Sequence, residues 1–217
     1  MSQPVAKPVL YYVHDPMCSW CWAFAPVLEQ LLERLPNVIE VRRLLGGLAP
    51  DTDEPMPEDL REMVQGSWQR IKQHVPETEL NFDFWTKCVP RRSTYLSCRA
   101  VIAARRQGEK FEQAMITAIQ RAYYTQARNP SDANTLIALA GEIGLDTAAF
   151  EKALRSAEVD RELEAEILQA RAMDIESFPA LVYVDARGPR PIAIDYRDPE
   201  PMLRMIDTAI SRSCEDA

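Results

Sequence analysis

The 217 residues are 47% hydrophobic and 27% charged, an ordinary globular balance, and 33 acids against 25 lysines and arginines give a net charge of −8. Nucleic-acid binding through a basic face is excluded, because the densest basic runs are only the pairs Arg42-Arg43, Arg91-Arg92 and Arg105-Arg106. The acidity also disfavours anionic membranes, and no stretch approaches the ~18 apolar residues of a membrane span.

Met1 to Pro8 is polar, and the apolar run after it is too short for a signal segment. Five cysteines are too few for a disulfide scaffold, and their odd number does not suit a fully paired secreted protein. The expected location is therefore the cytoplasm, with no nucleic acid and no membrane among the partners.

Val9–Val13 is nearly all apolar and rich in β-formers, as a central strand is. Phe24, Leu28, Leu31, Leu32 and Leu35 mark one face of a helix that ends before Pro36-Asn37. Val38–Leu45 gives a second strand, closed by Gly46-Gly47. Such a β-α-β unit predicts parallel strands with a right-handed crossover. Residues 48–55 are loop-like. From Pro57 to about Met173 every recognisable element is helical. Its stripes are Leu60/Val64/Trp68/Ile71, Leu96/Ile102/Ala103, Phe111/Met115/Ile119/Ala122, Leu136/Leu139/Ala140/Ile143, Phe150/Ala153/Leu154 and Val159/Leu163/Ile167/Ala170. Asp146 is placed to cap the fifth of these. Ala180–Val184 is a buried strand, residues 185–189 a turn, and Pro191–Asp195 the return strand of a hairpin. Met202, Leu203, Ile206 and Ile210 form a last amphipathic helix. The expected fold is α/β: a thioredoxin-like β-α-β … β-β-α frame with a large all-helical insertion. The frame is assigned to residues 1–55 and 174–217, and the insertion to 56–173.

The chemistry sits in Cys18-Ser19-Trp20-Cys21, where the first strand hands over to the first helix. A helix N-terminus offers unpaired N–H groups and a partial positive charge, which favour a thiolate, the species that attacks disulfides. Cys18 is the expected nucleophile. Cys21, one turn on, is the expected resolving thiol. Ser19 and Trp20 are placed to tune the first thiol, and His14, at the strand end, to support it as a cation. Cys98 is read as a buried filler, and Cys88 and Cys214 as isolated cysteines. No metal is expected. His14, Cys18 and Cys21 offer three soft ligands where a structural zinc site wants four.

The Cys-x-x-Cys at a helix start, together with Ser177-Phe178-Pro179 leading into Ala180-Leu181-Val182, resembles the DsbA family of thioredoxin-fold thiol–disulfide oxidoreductases. Asp15-Pro16-Met17-Cys18-Ser19-Trp20-Cys21-Trp22 is most similar to its cytosolic, predicted disulfide-isomerase branch, the FrnE-like proteins. The resemblance implies a cis peptide before Pro179, and Ser177, Phe178 and Pro179 holding an extended substrate against the cysteines. Phe178 departs from the smaller residue that often precedes this proline. The implied partners are proteins or peptides carrying thiols or disulfides. No cofactor is implied, though the groove fits glutathione as a cosubstrate. Two alternatives stand beside this reading: a glutathione-dependent transferase or isomerase of the kappa type, whose members usually keep serine in place of Cys18, and a non-catalytic DsbA-like adaptor that binds a protein partner.

Overall fold

The computed structural model describes residues 7–215, with side chains through residue 211. Among them are four strands, β1 (Val9–His14), β2 (Glu40–Leu45), β3 (Ala180–Asp185) and β4 (Gly188–Ile192). The sheet order is β2-β1-β3-β4. β1 runs parallel to β2, with Tyr12 beside Arg43 and His14 beside Leu45. It runs antiparallel to β3, with Tyr12 opposite Leu181.

Helix α1 (Ser19–Arg34) makes the crossover from β1 to β2. Its Phe24, Leu28 and Leu31 join Leu10 and Tyr12 of β1, and Met202 and Ile206 of the last helix, α9 (Glu200–Glu215), in one core. The opposite face of the sheet turns Tyr11, Val13, Leu44 and Val182 toward Ala170 and Ile175.

Between β2 and β3 stand α2 (Glu58–His74), α3 (Phe84–Lys87), α4 (Tyr95–Arg105), α5 (Lys110–Tyr124), α6 (Ala133–Glu142), α7 (Thr147–Leu154) and α8 (Ala157–Ala172). Their shared core is built on α4, where the small residues Cys98, Ala100, Ala103 and Ala104 let neighbouring helices approach closely, and on aromatic Trp68, Phe84 and Tyr124. Asp146 caps α7 as expected, accepting from the Ala148 and Ala149 amides. The short α3 carries no stripe of its own. It is set by Phe84 and Trp85 packing on Trp68, at ring separations of 6.2 and 5.1 Å. Glu166 of α8 ties this layer to the sheet, accepting the Leu45 amide at 2.7 Å while pairing with Arg105 of α4.

β1 and β3 each run one residue past expectation, β4 ends at Ile192 rather than Asp195, and two strand starts differ. β2 starts at Glu40 rather than Val38, because residues 36–39 form a turn closed by the Ile39 amide on the Pro36 carbonyl. β4 starts at Gly188 rather than Pro191, because Ala186 and Arg187 alone make the turn and Asp185 pairs with Gly188. Pro189 and Pro191 therefore lie inside β4. They are tolerated because β4 is an edge strand. Among the described residues, no helix is long and apolar enough to cross a membrane.

Candidate active site

β1 ends in a buried polar turn. Asp15 is fully buried. One carboxylate oxygen accepts the Met17 amide at 2.8 Å. The other accepts the Leu48 amide at 2.7 Å, the Thr94 hydroxyl at 2.6 Å and the Cys98 thiol at 3.5 Å. Its carbonyl accepts the Cys18 amide at 3.0 Å. Burial raises the Asp15 carboxyl above its ordinary range, and these donors oppose the rise. The Tyr124 hydroxyl fixes the next link by donating to the Met17 carbonyl at 2.6 Å.

This turn delivers Cys18 as the N-cap of α1, in extended backbone with φ −79° and ψ 117°. Its sulfur accepts the Cys21 amide at 3.4 Å, the position that a serine or aspartate oxygen usually takes in a cap. From the other side of the fold, the sulfur donates to the Phe178 carbonyl at 3.4 Å. The Phe178–Pro179 peptide is cis, as the resemblance implied. Residues 160 positions apart thus meet at one thiol.

Cys18 keeps 6% of its surface exposed and Cys21 none, so the expected order holds, although both are buried. Both are free thiols. Burial, and then the Cys18 thiol beside it, push the Cys21 thiol well above its ordinary range, and the Asp15 backbone opposes the rise. Tyr12 is also buried, and burial first and then the two thiols raise its hydroxyl.

The remaining expected site residues divide. Ser19 is half-buried in the first turn of α1. Trp20 is half-buried, donates to the Ser67 hydroxyl at 3.1 Å and packs edge-on to Tyr196 at 5.0 Å. Phe178 and Pro179 are half-buried and Ser177 is exposed. His14 does not support a thiolate as a cation. It is buried, stacked on Tyr12 at 4.8 Å, and neither ring nitrogen has a hydrogen-bond partner among the described residues. Burial first, then Arg43 and Arg105, lower it to about 3, so it is neutral at pH 7. The unfolded chain binds its proton near the ordinary value of about 6.5. Stability is therefore complete above that pH and is lost as pH falls toward 3. His14→Phe should flatten the acid limb of a pH series of urea unfolding across this window. An unchanged limb would show that other groups carry it.

Cys98 is more than filler, since its thiol donates to Asp15. The Cys88 thiol donates to the Ala127 carbonyl at 3.1 Å. The side chain of Cys214 lies outside the described residues. No group of three or more His, Cys, Asp or Glu among the described residues is arranged to hold a metal ion.

Sequence reading passed over Asp15, Thr94, Tyr124 and Gly46. Asp15 did leave a signal, an acid at the end of an otherwise buried strand. A side chain on Gly46 would place Cβ 2.0 Å from the Phe178 ring, so Phe178 is accommodated only because residue 46 has none. That gap explains how a bulky residue can precede Pro179.

A four-stranded mixed sheet with a dithiol at the start of its first helix, facing a cis-proline loop, defines a thioredoxin-fold protein with a Cys-x-x-Cys centre. The family model described as Thioredoxin matches residues 11–192, and the chain belongs to that family. A candidate protein disulfide isomerase from Nitrosomonas europaea is similar in structure, with TM-score 0.81 and 28% identity over 95% of this chain and 99% of that one. The cytosolic disulfide reductase DsbM from Pseudomonas aeruginosa shares the fold, with TM-score 0.73 and 22% identity over 94% of this chain and 98% of that one. The likeness to DsbA-type structures thus holds at the level of the fold. The ClpXP adapter protein SpxH from Bacillus subtilis (strain 168) is 24% identical over 182 residues, 83% of this chain and 60% of that protein. The chain spans about 60% of the length of the curated relatives it matches.

Proposed function

We propose that the chain is a cytoplasmic thiol–disulfide oxidoreductase that reduces or isomerises disulfides in proteins or peptides. The observation that carries this reading is the Cys18 sulfur, set between the Cys21 amide and the Phe178 carbonyl beside Pro179. The Cys18 thiolate attacks one sulfur of a substrate disulfide. The old S–S bond breaks, a Cys18–substrate disulfide forms, and the other substrate sulfur leaves as a thiolate. Cys21 then gives up its proton to that leaving thiolate and attacks Cys18. The Cys18–Cys21 disulfide forms and the second substrate thiol is released. Two electrons pass to the substrate, and two glutathione thiols restore the dithiol with formation of one glutathione disulfide. Burial of Cys21 suits this order, because a thiol held protonated waits until the mixed disulfide is beside it. Residues 177–179 offer the extended edge against which the substrate lies, and Trp20 its rim.

Similarity to a cytosolic disulfide reductase, whose structure with GSH is also known, supports the reductive direction, the cytoplasmic location and glutathione as cosubstrate. Cys18→Ser should abolish exchange. Cys21→Ser should trap a mixed disulfide through Cys18, read by mass under non-reducing conditions. Substantial exchange by the Cys18 variant would overturn the mechanism.

The ClpXP adapter relatives favour a second reading, an adaptor that binds a protein partner. Replacement of both cysteines separates the two: an adaptor would keep its cellular role, and an oxidoreductase would lose it.

A further inference from the structure

A cleft of about 1050 Å³ runs along α1 toward α5 and β2 and extends to the loop after α2. Neither Cys18 nor Cys21 lines it, although Trp22 and Ala23, the residues that follow Cys21, do. Its size suits a small organic ligand. Trp22, Leu28 and Leu32 of α1 and Ile116 of α5 give it apolar walls.

Two polar side chains line this cleft without a protein partner among the described residues. Arg43 of β2 is half-buried in the wall, and among the described residues no carboxylate lies within 4.0 Å of its guanidinium. Its neighbour Arg42, on the other face of the strand, pairs with Glu40. Gln120 of α5 is only 4% exposed, lines the same cleft, and its side-chain amide makes no hydrogen bond among the described residues. Its amide atoms are not fully buried, so the small exposed part of Gln120 includes its polar tip, which opens into the cleft where a ligand acceptor can reach it. A guanidinium and an amide together match one carboxylate, the guanidinium offering paired N–H donors. The exposed Glu29 and Glu33 of α1 and Glu77 of the loop after α2 also line the cleft, with Arg197 at its rim, so the lining tolerates one negative charge beside Arg43 and disfavours a polyanion.

We propose that this cleft binds small amphipathic monocarboxylic acids, with the carboxylate on Arg43 and Gln120 and the apolar part against Trp22, Leu28 and Ile116. The proposal does not depend on the redox reading.

The test titrates octanoate and, separately, n-octylammonium into the full ¹⁵N-labelled chain, following backbone and glutamine side-chain amides by NMR. Octanoate should shift the Gln120 side chain and the α1 and α5 amides saturably. Octylammonium, equal in length and opposite in charge, should bind about tenfold more weakly or worse, the scale of one charge-assisted pairing. Arg43→Gln should weaken octanoate by a similar factor, and Gln120→Leu by a smaller one. The charge-reversed pair decides the matter on the native chain even if a variant fails to fold. Absence of octanoate binding, equal binding of octylammonium, unchanged binding by Arg43→Gln, or shifts mapping away from α1 and α5 would each overturn the proposal.

Discussion

Asp15→Asn should lower the free energy of unfolding by about 2 kcal/mol at pH 7, the net of orphaned donors and relieved charge burial. Every partner of the carboxylate is a donor: the Met17 and Leu48 amides, the Thr94 hydroxyl and the Cys98 thiol. An asparagine keeps one acceptor oxygen and turns the other position into an N–H₂. Whichever way it sits, a backbone amide that cannot rotate away faces another donor. Against this, the amide has no charge to desolvate, which is why the cost stays below the sum of the lost bonds. The pH dependence is specified too. Burial raises the Asp15 carboxyl, so the native state holds its proton more tightly than the unfolded chain does. Its contribution is greatest below its ordinary range and declines as pH rises through the native value. Urea unfolding across that range should show this decline in the parent and not in Asp15→Asn. The variant should also exchange disulfides more slowly, because the Asp15 carbonyl and Met17 amide set the turn that presents Cys18. Equal stability and equal rate would remove Asp15 from any positioning role.

Gly46→Ala should slow exchange by roughly ten- to a hundredfold, the scale expected when a reacting group is displaced by about 1 Å. The new methyl would lie 2.0 Å from one carbon of the Phe178 ring and 2.1 Å from the next. The Gly46 backbone is committed, since its amide donates to the His14 carbonyl at 2.7 Å. The ring must therefore move, and it belongs to the residue whose carbonyl receives the Cys18 thiol. Stability should fall by about 1–3 kcal/mol, as for other overpacked sites. Phe178→Ala in the same chain vacates the contested space, so Gly46→Ala/Phe178→Ala should recover much of the stability. The pair should be strongly non-additive. A single Gly46→Ala variant with the parent rate would show that the Phe178 ring does not hold the loop.

Much of this architecture was legible in the residues, for identifiable reasons. Val9–Val13 and Ala180–Val184 are buried on both faces and so write unbroken apolar runs, which locate β1 and β3 to within a residue. The Cys18–Cys21 spacing and Pro179 are local or nearly so, and their meeting follows once the frame is recognised. What escaped is non-local. Asp15 takes its donors from residues 17, 48, 94 and 98, and no periodicity links those positions. The fit of Phe178 over Gly46 spans a still longer gap. His14 misled because its usual value suggests a charge, whereas complete burial beside two arginines removes it. β4 was started three residues late because Gly188-Pro189 was assigned to the turn, a proline arguing against a strand wherever the strand is central.

Those two prolines also bear on how the sheet meets other chains. With a two-residue turn, the amides of residues 188, 190 and 192 point back at β3, and positions 189 and 191 point outward. Proline at both leaves the outer rim of β4 with acceptors and no donors there, a rim that a foreign strand cannot zip onto. The opposite rim, β2, carries the charged Glu40 and Arg42. Both flanks therefore discourage strand-by-strand aggregation, and a molecule whose proposed task is to handle unfolded, disulfide-bearing chains can do so without being recruited into their aggregates.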